Sequence, residues 1–576
     1  MFKKIKKSVS TNQIFSYTRS CLPSIAAIKK YQLFGERSSN IKSNFSSFLN
    51  FSGRLSINQQ QARYSSNFAS RSEFVAGSNV TKFQDFMNER QFQARSSVLI
   101  QVGSEHSFPE LFNYCLKFGE ILVCKHYQTK NGHFILLQFS NESYANELLD
   151  SSSSNESSLS TTVRSPYLWF KTGKKPKIIN SAQYGKGVLS SKFGNSVITE
   201  DLLNSEIRNA ISIEDQMGII VSKTQLSDLS IRLRYLAAHQ IEKTFKEIIP
   251  SCKAYPFGSS VNGFGKMGCD LDMILKIDNK QADTSSRLVF QVKEHFNNER
   301  TQKQRQMEAI GNILQIFLPG VENVRRILQA RVPIIKYHHD FLNLEVDLSM
   351  NDLSGLHMSE LFYSFGNIDI RVRAIIFTIR RWAQIIGLTN PSPGRWITNF
   401  SLSSLVIHFL QQLDNPLLPP INNFKNYEDS REDKEIKQFE LSKTQFLTNN
   451  NIKLEELLLQ FFEYYSSFDF SNRAISMVDG NTVNKPDHSA MYIINPFDKT
   501  HNVSKNVSFE ECERFKIEVR NAAWILETEL ENNVNLTKNG NWGLLNLFKT
   551  NNIVKPNVFY KPRMVDVSEL FCKNVK

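Results

Sequence analysis

The sequence predicts an α/β plus α protein with three structured parts: a small N-terminal βαββαβ domain, a domain built on a mixed β-sheet, and a mainly helical domain. Short apolar runs bounded by turn residues alternate with helical patterns from residue 97 to 170. Strand-like runs recur between residues 271 and 348, and helical periodicity dominates from residue 368 onward. At 576 residues and 41% hydrophobic composition, the chain is long enough for two to four domains with their own cores.

Composition narrows the possible binding partners and the possible classes of protein. The net charge of +13 favours a polyanionic partner or a negatively charged membrane surface, and charge alone does not distinguish them. No apolar run approaches the roughly 20 residues that a membrane-spanning helix needs, so no membrane insertion is expected. The cysteines are odd in number, scattered and without a CxxC pair, which argues against a disulfide framework and a structural zinc site.

The first 72 residues have their own composition. They contain twelve Lys or Arg and a single acid, Glu36, among many Ser, Asn and Phe. This composition is typical of a mitochondrial transit peptide, with cleavage expected near residues 63–65. The alternative interpretation is an ordinary basic tail.

The N-terminal domain is predicted over residues 96–170. Its strands are expected at 98–102, 121–127, 133–139 and 167–170, and its helices at 108–118 and 144–149. This order is typical of an RNA-recognition-type fold, but Leu136 stands where an aromatic residue would stack on a base. The domain is therefore degenerate, and weak RNA contact, self-association and a purely structural role remain open.

The following segments are assigned in chain order. A basic linker covers residues 171–190, and a helix with an apolar stripe runs from Leu226 to Ile248, before Pro250. Residues 286–317 are predicted to be helical, and residues 325–348 to form two strands around a turn at 337–340. The adjacent His338 and His339 in that turn are interpreted as surface residues. Further helices are expected at 368–386, 400–413, 452–468 and 508–530, with a polar insertion at 422–450.

The richest chemistry lies in residues 257–275. A glycine-rich turn, Gly258-Ser259-Ser260, precedes Asp270-x-Asp272 on a short predicted strand, so both carboxylates point to one face. Residues 263–268 also satisfy GxGxxG, but a dinucleotide-binding loop must open a helix, and this one leads into a strand. A Walker motif is excluded because no Gly-Lys-Ser/Thr triplet follows.

A third carboxylate lies on a later strand. Residues 344–348 alternate cleanly, with Asp347 on the face opposite the apolar side chains. Hard divalent cations prefer such oxygen ligands and often share them with substrate phosphates. Asp270 and Asp272 would bridge two ions about 4 Å apart, Asp347 would hold one of them, and Ser259 and Ser260 would hold a triphosphate.

These motifs together resemble the DNA polymerase β-type nucleotidyltransferase superfamily, within it the poly(A) polymerase and terminal uridylyltransferase branch, and specifically the mitochondrial poly(A) polymerase family. The similarity spans about residues 95–545, including the degenerate RNA-recognition-like domain. It continues beyond the carboxylates in five further motifs, at residues 331–336, 380–383, 396–402, 494–497 and 502–507.

The resemblance assigns roles residue by residue. It implies that Gly258 and Ser259, with the adjacent Ser260, hold the triphosphate, and that the three aspartates Asp270, Asp272 and Asp347 bind Mg²⁺ or Mn²⁺. Arg380 stands where relatives often have a phosphate-contacting lysine, and Gln384 replaces a second lysine. The remaining implied positions are Asn399 for a phosphate-binding serine, Phe400 for base stacking, and His501 where uridylyl-specific relatives select the base.

The resemblance implies a function and a domain plan. The function is template-independent transfer of AMP from ATP to RNA 3′ ends in the mitochondrial matrix, with pyrophosphate release and a homodimer formed through the N-terminal domain. Alternatives are UTP as donor, a catalytically idle RNA-binding scaffold, and a nucleotidyltransferase acting on small molecules. The predicted boundaries are 1–72 presequence, 96–170 N-terminal domain, 171–224 linker and helical segment, 225–355 catalytic palm, 356–545 helical domain and 546–576 tail.

Overall fold

The computed structural model describes residues 82–153, 163–172, 188–190, 196–249, 251–277, 287, 298–392, 394–425, 440–441, 450–531 and 541–549. All of them belong to one compact unit, Tyr64–Lys576. The predicted presequence, most of the 171–190 linker, most of the polar insertion and the C-terminal residues from 550 lie outside the described residues. None of the helices in the described part of the chain has the length and apolar character of a transmembrane segment.

The helices of the described residues are α1 (Phe83–Arg95), α2 (Phe108–Cys115), α3 (Glu142–Asp150), α4 (Glu200–Arg208), α5 (Ile213–Thr224), α6 (Asp228–Lys246), α7 (Glu299–Phe317), α8 (Ser354–Ile368), α9 (Ile370–Ile385), α10 (Asn399–Gln412), α11 (Leu454–Ser467), α12 (Phe509–Glu531) and α13 (Leu544–Leu547). Single 3₁₀ turns occur at Glu105–Ser107, Gly258–Ser260 and Ile421–Asn423.

The strands are β1 (Ser97–Val102), β2 (Ile121–Thr129), β3 (Gly132–Phe139), β4 (Tyr167–Trp169), β5 (Val188–Ser190), β6 (Cys252–Phe257), β7 (Leu271–Ile277), β8 (Val321–Ile327), β9 (Ile334–His339), β10 (Leu344–Met350), β11 (Phe424–Lys425), β12 (Glu440–Leu441), β13 (Arg473–Ser476), β14 (Asn481–Asn484), β15 (Ile494–Asn495) and β16 (Asp498–Asn502).

The N-terminal sheet has the order β4-β1-β3-β2-β5. Helices α2 and α3 cover one face, because alternate residues of β1 and β3 are apolar on that side. The other face, with Tyr127, Phe134 and Leu136, is buried against α6 of the next domain. The Tyr127 hydroxyl donates to the Phe341 carbonyl at 2.9 Å. The face on which an RNA-recognition domain stacks bases is therefore covered by protein, in agreement with the missing aromatic residue at Leu136.

The central sheet has the order β6-β7-β10-β9-β8. Strands β7 and β10 are parallel and the other neighbours antiparallel, so the sheet is mixed as predicted. Helix α6 begins where the Ser227 hydroxyl accepts from Ser230 N, and its apolar stripe packs in one core with the sheet. Ile248, expected on that stripe, lies beyond the helix end and is 62% exposed.

The helical domain is built from two separate parts of the chain. Helices α4 and α5, which precede the central sheet, share one hydrophobic core with α9 to α13. Trp382 and Phe462 meet edge to face in this core, with centroids 4.8 Å apart. Leu547 and Phe548, at the start of the predicted C-terminal tail, are buried in it too. Mixed α/β architecture with a helical domain is confirmed.

Two predicted elements are corrected. His338 and His339 were expected in a surface turn, but β9 continues through both, and His339 is fully buried with Nε2 3.1 Å from Gln240 Oε1. Burial lowers the pKa of His339 to about 3. The helix predicted at 368–386 is α9, and it starts at Ile370. Asp369 is extended and its side chain accepts from Arg371 N, which caps α9. The preceding helix α8 ends at Ile368.

Candidate active site

The glycine-rich turn follows β6 directly and is anchored to α8. Gly258 has φ +66°, and a Cβ there would lie 2.7 Å from Asp272 Oδ2, so only glycine fits without displacing that carboxylate. The Gly258 amide donates to Ser359 Oγ at 2.7 Å. The Ser259 hydroxyl donates to Cys269 Sγ at 3.3 Å. The turn therefore brings backbone close to the carboxylate-bearing strand.

Three neighbouring strands place charged side chains side by side. Asp272 on β7 is in register with Asp347 on β10, and Asp347 is in register with Lys336 on β9. Asp270 lies just before β7 rather than on it, and its side chain is 53% exposed. The Lys336 ammonium is 3.1 Å from Asp347 Oδ1 and 3.4 Å from Asp270 Oδ2. Lys336 thus contacts two of the three predicted aspartates, and Asp272 lies beside Asp347 on the neighbouring strand.

The carboxylates carry more negative charge than their surroundings neutralise. Burial, followed by the nearby Asp347 and Asp270, raises the pKa of Asp272 to about 7. Burial alone would lower the pKa of Lys336, but its contacts with Asp347 and Asp270 outweigh burial and raise it. Both effects show a site that is stabilised by added positive charge.

This donor set fits a hard divalent cation. Carboxylate oxygens are the ligands that Mg²⁺ and Mn²⁺ prefer, and Lys336 supplies a cation between two of them. Within the described ranges, no three histidine, cysteine or acidic groups converge as a ready-made metal site. A divalent ion at these carboxylates would compete with the Lys336 ammonium, because that ammonium already contacts Asp270 and Asp347.

A cavity of about 390 Å³ opens beside the turn, within the size range of ligand pockets. Of the residues predicted from the sequence, it is lined by Gly258, Ser259, Asp272, Arg380, Asn399 and Phe400. Asn399 and Phe400 occupy the first turn of α10, which starts where Thr398 Oγ1 accepts from Ser401 N, so the positive helix end faces the cavity. The Phe400 ring stacks on Phe362, with centroids 5.4 Å apart.

The cavity also has lining residues that the sequence did not indicate. Ser359 and Phe362 on α8, and Asn495 and Phe497 around β15, line it. No local motif marks α8, because its role arises only where it packs on the glycine turn. Asn495 and Phe497 fall within a motif of the resemblance and could have been assigned from it.

Two predicted nucleotide-binding residues are not brought to the cavity. Ser260 was expected to present its hydroxyl, but the side chain is 2% exposed under the turn, and its Oγ has no partner among the described residues. The 3₁₀ turn directs the Ser260 side chain inward, so a role for Ser260 in binding the triphosphate stays a prediction. His501 on β16 does not line the cavity; its Nδ1 is 2.9 Å from Arg331 Nη1, and Arg331 also pairs with Asp498.

A smaller cavity of about 120 Å³ adjoins the first, sharing Arg380 and Asn399 with it. Arg380 Nη1 donates to the Phe264 carbonyl at 2.7 Å. Gln384, which stands in place of a second lysine, accepts from the Lys266 ammonium at 2.8 Å. The two cavities together form a cleft between the central sheet and the helical domain, lined by the carboxylate of Asp272 and by the cations of Lys266 and Arg380.

Two family models match the chain. The model for the mitochondrial-like poly(A) RNA polymerase central palm domain matches residues 213–367. The model for the Cid1 family poly A polymerase matches residues 453–501. The first covers the glycine turn and the three aspartates, and the second the region of His501.

Curated relatives and solved structures extend the similarity over most of the chain. The chain is 49% identical to the mitochondrial poly(A) RNA polymerase of Drosophila melanogaster over 516 residues, covering 85% of this chain and 84% of that protein. It is 34% identical to the Homo sapiens protein of the same name, covering 81% of each. Crystal structures of mtPAP in complex with UTP and with ATPgammaS each align with a TM-score of 0.73 and 33% identity, covering 81% of this chain and 99% of the solved one.

Proposed function

The chain belongs to the mitochondrial poly(A) RNA polymerase family, and on that premise we propose that it transfers AMP from ATP to RNA 3′-hydroxyls at the cleft described above. The chain is thus a nucleotidyltransferase of the poly(A) polymerase class. In the transfer, the RNA 3′-oxygen bonds to the α-phosphorus of ATP. The bond to the β-phosphate oxygen breaks, the hydroxyl proton leaves, and pyrophosphate is released.

The observation that carries the proposal is the strand register of the carboxylates. Asp272 and Asp347 lie on paired strands, Asp270 is two residues from Asp272, and Asp272 adjoins the Gly258 turn. We assign Asp270, Asp272 and Asp347 as ligands of Mg²⁺ or Mn²⁺. When bound, such ions neutralise the triphosphate and favour ionisation of the attacking hydroxyl.

The remaining cleft residues bind and orient the nucleotide. Gly258 and Ser259 bring the turn close to the phosphates, and Arg380 neutralises them from α9. Phe400 lines the cavity and stacks on Phe362, so we assign it to base stacking. Asn399 is assigned to the sugar or phosphate at the start of α10. The reaction then needs positioning and charge neutralisation rather than a covalent intermediate.

The wider organisation is also proposed. We assign residues 225–355 to the catalytic palm and 356–545 to the helical domain, supported by the palm model match at 213–367. The mitochondrial names of the relatives and the basic first 72 residues support action on transcripts in the matrix. Homodimerisation through the N-terminal domain is a further proposal. A dimeric mass in solution supports it, and a monomeric mass contradicts it.

The carboxylate assignment is tested with Asp272→Ala, using Asp414→Ala, an exposed acid on the helical domain, as the matched control. Tail synthesis on a short RNA with ATP and Mg²⁺ or Mn²⁺ should fall about hundredfold or more in Asp272→Ala and stay unchanged in the control. The melting temperature should not fall, because the Asp272 carboxylate is crowded by two others. Undiminished synthesis by Asp272→Ala would refute the assigned site. Absence of any nucleotide incorporation by the unmodified chain would revive the idle-scaffold alternative.

Uridylyl transfer is the second candidate, favoured by His501. Because solved relatives include complexes with UTP, CTP, GTP and ATPgammaS, nucleotide binding alone does not select the donor. Competition among the four nucleotides in the extension assay identifies the preferred donor. We expect ATP to dominate, and a preference for UTP that disappears in His501→Ala would overturn the adenylyl assignment.

A further inference from the structure

Helix α9 has one cation fewer at the cleft than the resemblance leads one to expect. Arg380 occupies the first of two phosphate-contacting positions, and Gln384, one turn later, occupies the second. A triphosphate with a terminal charge near Gln384 would lack a partner unless another element provides one.

Lys266 brings an ammonium to that position from the glycine-rich loop. Its Nζ donates to Gln384 Oε1 at 2.8 Å. The loop is tied on both sides of this residue to the end of α5, with Met267 N donating to Thr224 O at 2.7 Å and Leu226 N donating to Gly265 O at 2.9 Å. The backbone of Lys266 is therefore fixed, and the side chain is directed to the end of α9.

The smaller cavity around Lys266 has unbalanced positive charge. Its four cations are Lys223, Lys266, Arg380 and Arg381. Arg381 is paired with Glu200 and Lys223 with Glu206. Within the described part of the chain, no carboxylate pairs with Lys266 or Arg380. Burial, and after it Arg380, lowers the pKa of Lys266, and the opposing effects of Cys269 and Glu200 are too small to reverse this.

The continuity of the two cavities points to the ligand. Arg380 and Asn399 line both, so a chain of phosphates that starts beside Gly258 passes Arg380 before it reaches Lys266. A phosphate group matches the two cations there in charge and in hydrogen-bonding capacity.

We propose that the Lys266 ammonium binds the terminal phosphate of the donor nucleoside triphosphate in the smaller cavity and supplies the charge that Gln384 lacks. The proposal rests on the function proposed above and deepens it. Lys266 then contributes to recognition of a triphosphate over a monophosphate, whatever the base.

The test measures binding of ATP, ADP and AMP to the full chain at equilibrium. Lys266→Gln should weaken ATP binding about ten- to hundredfold and leave AMP binding unchanged, because AMP lacks the outer phosphates. The double variant Lys266→Gln, Gln384→Lys returns a cation to the same place and should restore most of the ATP affinity. Lys253→Gln, at an exposed lysine on β6, is the matched control and should bind all three nucleotides like the unmodified chain.

Three outcomes would overturn the proposal: unchanged ATP binding by Lys266→Gln, an equal loss for ATP and AMP, or no recovery in the double variant. Lys266→Arg, which keeps the charge, guards against a folding defect and should retain ATP affinity. RNA extension by the unmodified chain is run in parallel. If RNA extension fails but the nucleotide-binding pattern is as expected, the proposed function is wrong and the Lys266 assignment stands. If RNA extension succeeds but Lys266→Gln binds ATP normally, only the Lys266 assignment is wrong.

Discussion

Gly258→Ala should disable the site through a single added methyl group. The residue has φ +66°, a left-handed conformation that costs an alanine about 1–2 kcal/mol. The new Cβ would lie 2.7 Å from Asp272 Oδ2. This is roughly 0.7 Å inside ordinary van der Waals contact, so the Asp272 carboxylate or the turn must move by about that distance.

The size of this displacement sets the expected loss of RNA extension rate. Misplacing a reacting group by about 1 Å costs on the order of a hundredfold in rate, so we expect a 10- to 100-fold loss of RNA extension. The backbone strain should lower the melting temperature by only a few degrees. Extension of a short RNA resolved on a gel gives the rate, and thermal denaturation of the same sample gives the melting temperature.

Gly103→Ala is the matched control. No heavy atom lies within 4 Å of a Cβ at Gly103, and its φ is not in the left-handed region. This variant should keep both rate and melting temperature. Extension by Gly258→Ala within about twofold of the unmodified chain would refute the view that Gly258 sets the position of Asp272.

Two further predictions concern stability. The pKa of buried His339 is about 3 when folded and about 6.5 when unfolded, so protonation favours the unfolded chain, and stability falls by up to about 1.4 kcal/mol per pH unit as pH drops below 6.5. His339→Gln should therefore show a shallower fall of melting temperature between pH 7 and 4.5, whereas exposed His488→Gln should not; equal slopes would contradict the assignment. Tyr127→Phe removes the hydroxyl that donates to Phe341 O and should cost about 1 kcal/mol of unfolding free energy, visible as a lower melting temperature. Tyr114→Phe, at a 40% exposed ring, should have no effect, and identical melting of the two variants would show that the contact between domains contributes nothing.

The sequence predicted the elements that are marked by a local residue pattern. The alternation of β10 identified Asp347, and the spacing of Asp270 and Asp272 placed two carboxylates beside a glycine turn. The differences from the sequence-based expectation came from tertiary contacts and turn geometry. His339 resembles a turn residue in sequence, yet it is buried because Gln240 from α6 provides a partner. Ser260 looks identical to Ser259 in the motif, and only the 3₁₀ geometry of the turn separates a buried hydroxyl from one that lines the cavity.

The N-terminal domain also shows that tertiary contacts are not visible in the sequence. From the sequence, Leu136 marked the loss of a base-stacking position, without a reason for the loss. In the structure Leu136 is 1% exposed and shares a core with Leu229 and Leu233 of α6. An apolar side chain is what such a contact requires, so the departure from the RNA-recognition pattern is explained by packing between domains.

The placement of the charged residues on strands has a consequence for how the site tolerates change. Asp272, Asp347 and Lys336 hold their relative positions through the backbone ladder of three strands, and not through contacts among their own side chains alone. A slip of one residue between β7 and β10 would turn Asp347 to the opposite face and bury a carboxylate in the core beneath. The apolar side chains that alternate with Asp347, among them Val346 and Leu348, are fully buried and oppose any such slip. The hydrophobic pattern of β10 therefore fixes the spacing of the carboxylates, while Arg380 on α9 and Phe400 on α10 are positioned by the separate core of the helical domain.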